Sequence, residues 1–259
     1  MRKYFYMTRV TIMNGLQYKA FFLASFLSLL VRILVALFVW QTIFVNQPQV
    51  KGFTLETFTT YLIFANLLAN LNTFSIGQDL SHSILKGTIT SELLRPYSFI
   101  LGLFFKDFGF KILEFVKFFL SFIAILLLQA NFYLPDTANL LFFLLSSLLG
   151  MFIVQLLDMA FGFLAFFTVN SWGVLILRNG LFNIASGALL PLSFYPQTVE
   201  KFLTVLPYHS AVNLPISILL GKVEIGSALF FQVLWIPFLI MCIHFLWTQA
   251  KRRMIIFGG

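Results

Sequence analysis

The sequence predicts an all-α membrane protein with six transmembrane helices. Three observations carry this. Of the 259 residues, 60% are hydrophobic and 10% are charged, against about 25% charged in an ordinary soluble domain. A soluble fold coats itself with charge, and too little is present here to do so. Apolar stretches near the ~20 residues needed to cross a bilayer recur six times along the chain. The basic residues, finally, gather in alternate connecting segments.

Residues 1–20 are mixed. Arg2, Lys3, Arg9 and Lys19 alternate with Phe5, Tyr6, Val10, Met13 and Leu16. The apolar set recurs at near-helical spacing, which predicts an amphipathic helix on the inner membrane surface. A secretory signal would need a short apolar core and a small-residue cleavage site, and neither is present. The first span is expected at 22–44, closed by Asn46-Gln47-Pro48, and the second at 57–77. A polar stretch, 78–97, follows.

Lys106, Asp107 and Lys111 then predict an amphipathic inner-surface helix over 98–112 that leads into a span at 113–131, with Glu114 and Lys117 interfacial at its start. Pro135 lies in the short turn that follows. The region 138–168 would be ~46 Å long as one helix, so it must tilt or protrude from the bilayer. The fifth span is expected at 172–194. Pro196, Pro207 and Pro215 forbid one straight helix over the next segment. They predict short re-entrant or interfacial helices, with the freed backbone groups buried in protein or facing water. The sixth span, 225–248, precedes Lys251-Arg252-Arg253.

Charge sets the expected topology. Of 17 Lys and Arg, Lys51, Lys201 and Lys222 fall in the expected outer segments and Arg32 within the first span; the other thirteen fall in inner ones. That bias places both termini in the cytoplasm. It also explains the net charge of +8, since anionic lipid favours an inner basic surface. No nucleic-acid partner is expected, because no basic patch with interleaved aromatics is present. The single cysteine, Cys242, forms no internal disulfide. The halves show no internal repeat of the kind found in pseudo-symmetric secondary transporters.

Enzymatic motifs are missing. No phosphate-binding loop, zinc-protease helix or nucleophile elbow occurs. His82, His209 and His244 fall at different expected depths, so no metal site and no catalytic residue are expected. Charges inside spans are costly and usually face protein or a cavity. Arg32 and Asp158 are the two to weigh: they could pair, or Arg32 could snorkel to the interface. Two polar stripes also stand out. Asn66, Asn70 and Thr73, with Gly77, recur on one face of the second span; Asn179, Asn183 and Ser186 do so on the fifth. Each stripe suits helix packing, the wall of a translocation path, or a dimer interface.

Within 78–97, Ile84, Leu85, Ile89, Leu93 and Leu94 are unusually apolar for a solvated loop. Thr88 or Thr90 could cap a short helix through Leu94, and Pro96 ends it. The pattern Ile84-x-x-Gly87-x-Ile89-x-x-x-Leu93-Leu94-Arg95-Pro96 resembles the inner-loop signature of integral-membrane permeases of the type-2 ABC exporter class. The run from Ser186 to Leu192, then Phe194-Tyr195-Pro196 and Leu206-Pro207-Tyr208, resembles the fifth-span end and outer hairpin of that class. The likeness covers essentially the whole chain.

The resemblance implies a permease subunit without catalysis of its own, paired with a second permease, identical or related, and with a cytoplasmic ABC ATPase dimer. This chain would bind no cofactor; ATP and Mg would sit on the partner ATPase. Residues 1–20 would form an elbow helix and 196–221 the outer re-entrant helices. The 78–97 loop would hold a coupling helix, with Ile84, Leu85, Gly87, Ile89, Leu93, Leu94, Arg95 and Pro96 as its ATPase-coupling set. The first, second and fifth spans would face the second permease. The expected activity is export of an amphipathic or hydrophobic substrate (a drug, peptide or lipid-like molecule) across the plasma membrane. The alternatives are a channel, an intramembrane enzyme, or a non-transporting immunity or sensor subunit. A channel would need a charged or carbonyl-lined filter, and an enzyme a polar cluster at one depth; the sequence displays neither.

Overall fold

The computed structural model describes residues 2–72, 74–128, 132–168 and 171–257. These form helices and connecting turns, with no strand among the described residues. Helix α1, Arg2–Gln17, packs along α6, Phe99–Leu128. It turns Tyr4, Thr8 and Thr11 inward and leaves Phe5, Tyr6, Met13 and Leu16 exposed. The small threonine face admits close approach, as at membrane helix contacts. The Thr8 hydroxyl donates to the Phe105 carbonyl at 2.8 Å. The apolar face of α1 is therefore the outward one, opposite to a helix on a soluble core.

Helix α2, Lys19–Asn46, buries one stripe, Leu29, Ile33, Leu37 and Phe44, at the i, i+4 spacing of one helical face. Helix α3, Leu55–Leu71, begins in a capping box between Thr54 and Thr57. It is buried almost all round, from Phe58 to Leu71. Phe58 packs against Trp40 and Phe44 of α2 and against Phe53 and Phe194, so one aromatic cluster joins three parts of the chain.

The expected second helix, 57–77, stops early. Asn72 ends α3, its side-chain amide donating to the Leu68 carbonyl at 2.9 Å and to the Ala211 carbonyl at 3.3 Å. The chain resumes as α4, Ile76–Leu85, and α5, Ile89–Leu93. A short helix thus follows Thr88, but Thr88 supplies no side-chain cap; its hydroxyl donates to the Ser83 carbonyl.

A second correction concerns α6. The expected surface helix over 98–112 and the span after it are one unbroken helix, described to Leu128; the expected end at 131 lies outside the described residues. Asp107, Lys111 and Lys117 are buried, not spread on a membrane surface. Helix α7, Thr137–Leu164, is the centre of the fold. It packs against α4, against α8, Ser171–Ala185, and against α10, Asn213–Leu219, and α11, Ile225–Phe257.

A third correction shortens the fifth helix, expected to reach 194. It ends at Ala185, where the Ser186 carbonyl accepts from the Asn213 backbone N–H at 2.8 Å and Gly187 adopts φ +85°. An added Cβ there would also lie 2.6 Å from the Tyr61 hydroxyl, so only glycine serves. A 3-10 turn at Leu192–Phe194 leads to α9, Gln197–Val205, then a second 3-10 turn at Pro207–Ala211 and α10. Each of the three prolines sits where a helix start needs no intrahelical N–H: Pro196 caps α9, Pro207 opens its turn, and Pro215 is third in α10. Pro237 lies inside α11.

Among the described residues, three helices are long and apolar enough to cross a membrane by length and composition: Lys19–Asn46, Thr137–Leu164 and Ile225–Arg252. Helices α3 and α8 have 17 and 15 residues. Helix α6 has 30 but carries the charges from Lys106 to Lys117.

Candidate functional site

The break between α3 and α4 is where the buried charges converge. Asp107 on α6 is 1% exposed, and its two oxygens are both used. The Ser75 hydroxyl donates to Oδ1, and the Gln155 side-chain amide of α7 donates to Oδ2 at 2.7 Å. Lys111, one turn along α6, brings its ammonium to 3.5 Å from Oδ2. One turn beyond Gln155 on α7, Asp158 is likewise 1% exposed. Its Oδ2 accepts from the Gly77 backbone N–H at 3.0 Å, and its Oδ1 pairs with the Arg178 guanidinium of α8. The Asp158 carboxylate thus lies against the first turn of α4, where free N–H groups favour a negative charge. Arg178 also lies over the Phe74 ring, 4.4 Å from its centroid, a favourable place for a cation.

A third pair lies further along α6. Glu114 pairs with Lys117 and accepts from the Asn70 amide of α3; Lys117 also reaches the Ser25 hydroxyl at 3.3 Å. Three acids and three bases therefore balance inside the bundle, as buried charge requires.

Arg32 and Asp158 do not pair. Asp158 is taken by Arg178, and Arg32 is exposed on α2. Ser75, Asp107, Lys111, Gln155 and Arg178 are not among the site residues expected from the sequence, and Arg178 counts there with the inner cations although it falls within the expected fifth span. A signal existed: Asp107, Lys111 and Glu114 share one face of α6 at i, i+4 and i+7, and Gln155 and Asp158 one face of α7.

The polar stripes part company. Asn66 donates to its own helix at the Leu62 carbonyl, and Asn70 turns to Glu114 within the bundle. Thr73 lies outside the described residues. On α8, Asn179 and Asn183 are exposed, beside exposed Trp172, Ile176 and Ile184. Ser186 is buried at the helix end, where its hydroxyl accepts from the Ala188 N–H.

The α4–α5 hairpin divides its apolar residues. Ile89 is buried and Ile84 packs half-buried against the core. Leu94 is 87% exposed, and Leu85 and Leu93 are also outward, with Arg95 and Pro96. Gly87 turns the hairpin at φ +67°. Contacts from two sides hold it. Glu92 lies 4.0 Å from Lys106 of α6. The Lys3 ammonium of α1 donates to the Pro96 carbonyl, and the Ser98 N–H donates to the Tyr4 hydroxyl at 3.0 Å. Among the described residues, no group of three or more His, Cys, Asp or Glu side chains could hold a metal ion.

Compared with known proteins, residues 30–258 match the family described as ABC-2 family transporter protein. No curated protein and no solved structure matches the chain.

Proposed function

Since the chain belongs to the ABC-2 family of transporter proteins, we propose that it is the permease subunit of an ATP-driven exporter in the cell membrane, with both termini cytoplasmic. In this reading α2, α3, α6, α7, α8 and α11 are the six spans. Helices α3 and α8 cover only ~26 and ~23 Å at 1.5 Å per residue, so the chain that follows each completes the crossing. Irregular backbone is tolerated at membrane depth where protein covers it. Helix α1 is the elbow on the inner surface, and 196–221 forms the outer re-entrant hairpin. A second permease, identical or related, packs against the α2 and α8 side, α3 being enclosed within this chain. There the exposed amides Asn179 and Asn183 meet a partner or a polar path instead of lipid.

The observation supporting this reading most directly is the α4–α5 hairpin. It displays Leu85, Leu93 and Leu94 outward in a polar setting of Lys86, Glu92 and Arg95, while Ile89 roots it in the bundle. Such a surface suits the groove of a cytoplasmic ATPase dimer, which would bind ATP and Mg. Closure of that dimer would push the hairpin and rock the spans around it. The energy comes from the different affinity of the closed and open dimer for the two permease states. The substrate proposed is amphipathic or hydrophobic.

Purification of the tagged chain in mild detergent, with mass spectrometry and an ATPase assay, tests the reading. A co-purifying nucleotide-binding subunit, active in hydrolysis, is expected. A chain that purifies alone would overturn it.

A further inference from the structure

The transport reading requires that motion of the α4–α5 hairpin reach the spans, yet α3 ends at Leu71 and α4 begins only at Ile76. An interrupted helix does not act as one rigid rod. We propose that Asp107 and Asp158 form a two-point clamp on this break, and that Arg178 ties the clamp to the exposed amide face of α8, so that the hairpin and α8 move as one unit. The proposal rests on the transport reading and deepens it by naming positioning residues.

One anchor would leave a swivel, and two fix a direction. The anchors are the Ser75 hydroxyl on Asp107 and the Gly77 N–H on Asp158, on either side of the first residue of α4. Each carboxylate spends its second oxygen on a different helix: Asp107 on Gln155 of α7, Asp158 on Arg178 of α8. The break is thereby fixed to α6, α7 and α8 together. The approach is tight. A Cβ on Gly77 would fall 2.5 Å from Asp158 Oδ1 and 2.6 Å from Arg178 Nη1, and one on Gly162 would fall 2.8 Å from the Gly77 Cα.

Arg178 faces both ways. One nitrogen meets Asp158, and Nη2 lies 3.1 Å from Oδ1 of Asn179, which is exposed on α8. Separating the buried ion pair would strand two charges in a low-dielectric interior, which holds the helices together through a movement.

The test uses the full chain in lipid nanodiscs, with Cys242→Ala and spin labels at Leu94→Cys on the hairpin and Leu148→Cys on α7, both exposed. The width of the interspin distance distribution is read. Asp158→Asn and Ser75→Ala are each expected to broaden it about twofold by freeing the hairpin locally. Ser75→Thr, which keeps the hydroxyl, is expected to retain the wild-type width. With the second label moved to Ile184→Cys on α8, Arg178→Gln broadens the distribution, and adding Asp158→Asn broadens it no further, as partners in one network require.

Unchanged widths in Asp158→Asn and Ser75→Ala overturn the clamp. If Asp158→Asn does not accumulate, Ser75→Ala alone decides. An unchanged Leu94–Ile184 width in Arg178→Gln overturns the link to α8. The measurement needs no ATPase. A wild-type chain that retains none would sink the transport reading and leave the clamp standing, whereas unchanged widths in a chain that does retain one would sink the clamp alone.

Discussion

The Asp158 carboxylate of α7 is paired with the Arg178 guanidinium of α8, both within the closed interior of the bundle. Arg32, the other charge placed within a span by the sequence, stands exposed on α2. The pair carries the first prediction. Asp158→Ala leaves Arg178 buried without its counter-charge, at a cost of about 3–5 kcal/mol. Replacing both residues by leucine removes the uncompensated charge and is expected to cost less than the single change. Thermal unfolding of the purified variants in detergent checks the order; equal losses would contradict it.

Gly77→Ala is expected to destabilise the chain by about 1–3 kcal/mol through overpacking, because its Cβ meets the Asp158 and Arg178 side chains and also the Asp158 backbone oxygen at 2.9 Å. Gly180 on α8 has open space around it. Gly180→Ala is expected to be neutral, or stabilising by up to ~1 kcal/mol from helix propensity. Unfolding of the two variants side by side separates close packing from a general effect of losing glycine.

Along the hairpin, Leu94→Asp and Ile89→Asp should part. Leu94 is exposed, so an aspartate there is tolerated by the fold, and the loss expected is of the proposed ATPase partner. Ile89 is 4% exposed. An aspartate there buries an unpaired charge and is expected to abolish accumulation in the membrane. Western blotting of membranes, followed by co-purification from Leu93→Asp/Leu94→Asp, reads both. A retained ATPase in that double variant would deny the hairpin its docking role.

The two asparagine stripes give a fourth contrast. Asn70→Leu removes a donor from the partly buried Glu114, at about 1–3 kcal/mol, so its first effect is on stability. Asn183→Leu touches an exposed position and is expected to leave unfolding of the single chain unchanged while altering transport or pairing with the proposed second permease. Unfolding measurements beside cross-linking of labelled permeases distinguish the two. A stable Asn70→Leu would mean that the Glu114 contact contributes little.

Much of this protein could be read from residue order alone. The membrane class follows from composition, because apolar surface on this scale has no soluble solution. The prolines of 196–215 show where no straight helix can run, since a missing N–H and a fixed φ are local properties. Leu85, Leu93 and Leu94 are conspicuous because leucines in a polar loop call for a partner. Membership of the ABC-2 transporter family was legible from the same loop and the segment around Ser186–Tyr208.

Three-dimensional contacts decided the rest. Whether the helix through Asn72 continues or breaks depends on the Ala211 carbonyl, 139 residues away. Asp107 and Lys111 look interfacial in sequence, because nothing local reveals that Ser75 and Gln155 will satisfy a buried carboxylate. Arg178 has the same appearance as the other inner cations until α8 packs on α7. Periodicity and propensity report what a residue does to its own helix. The partner of a buried charge is chosen by packing between helices distant in sequence, where the cost of leaving it alone exceeds any local preference.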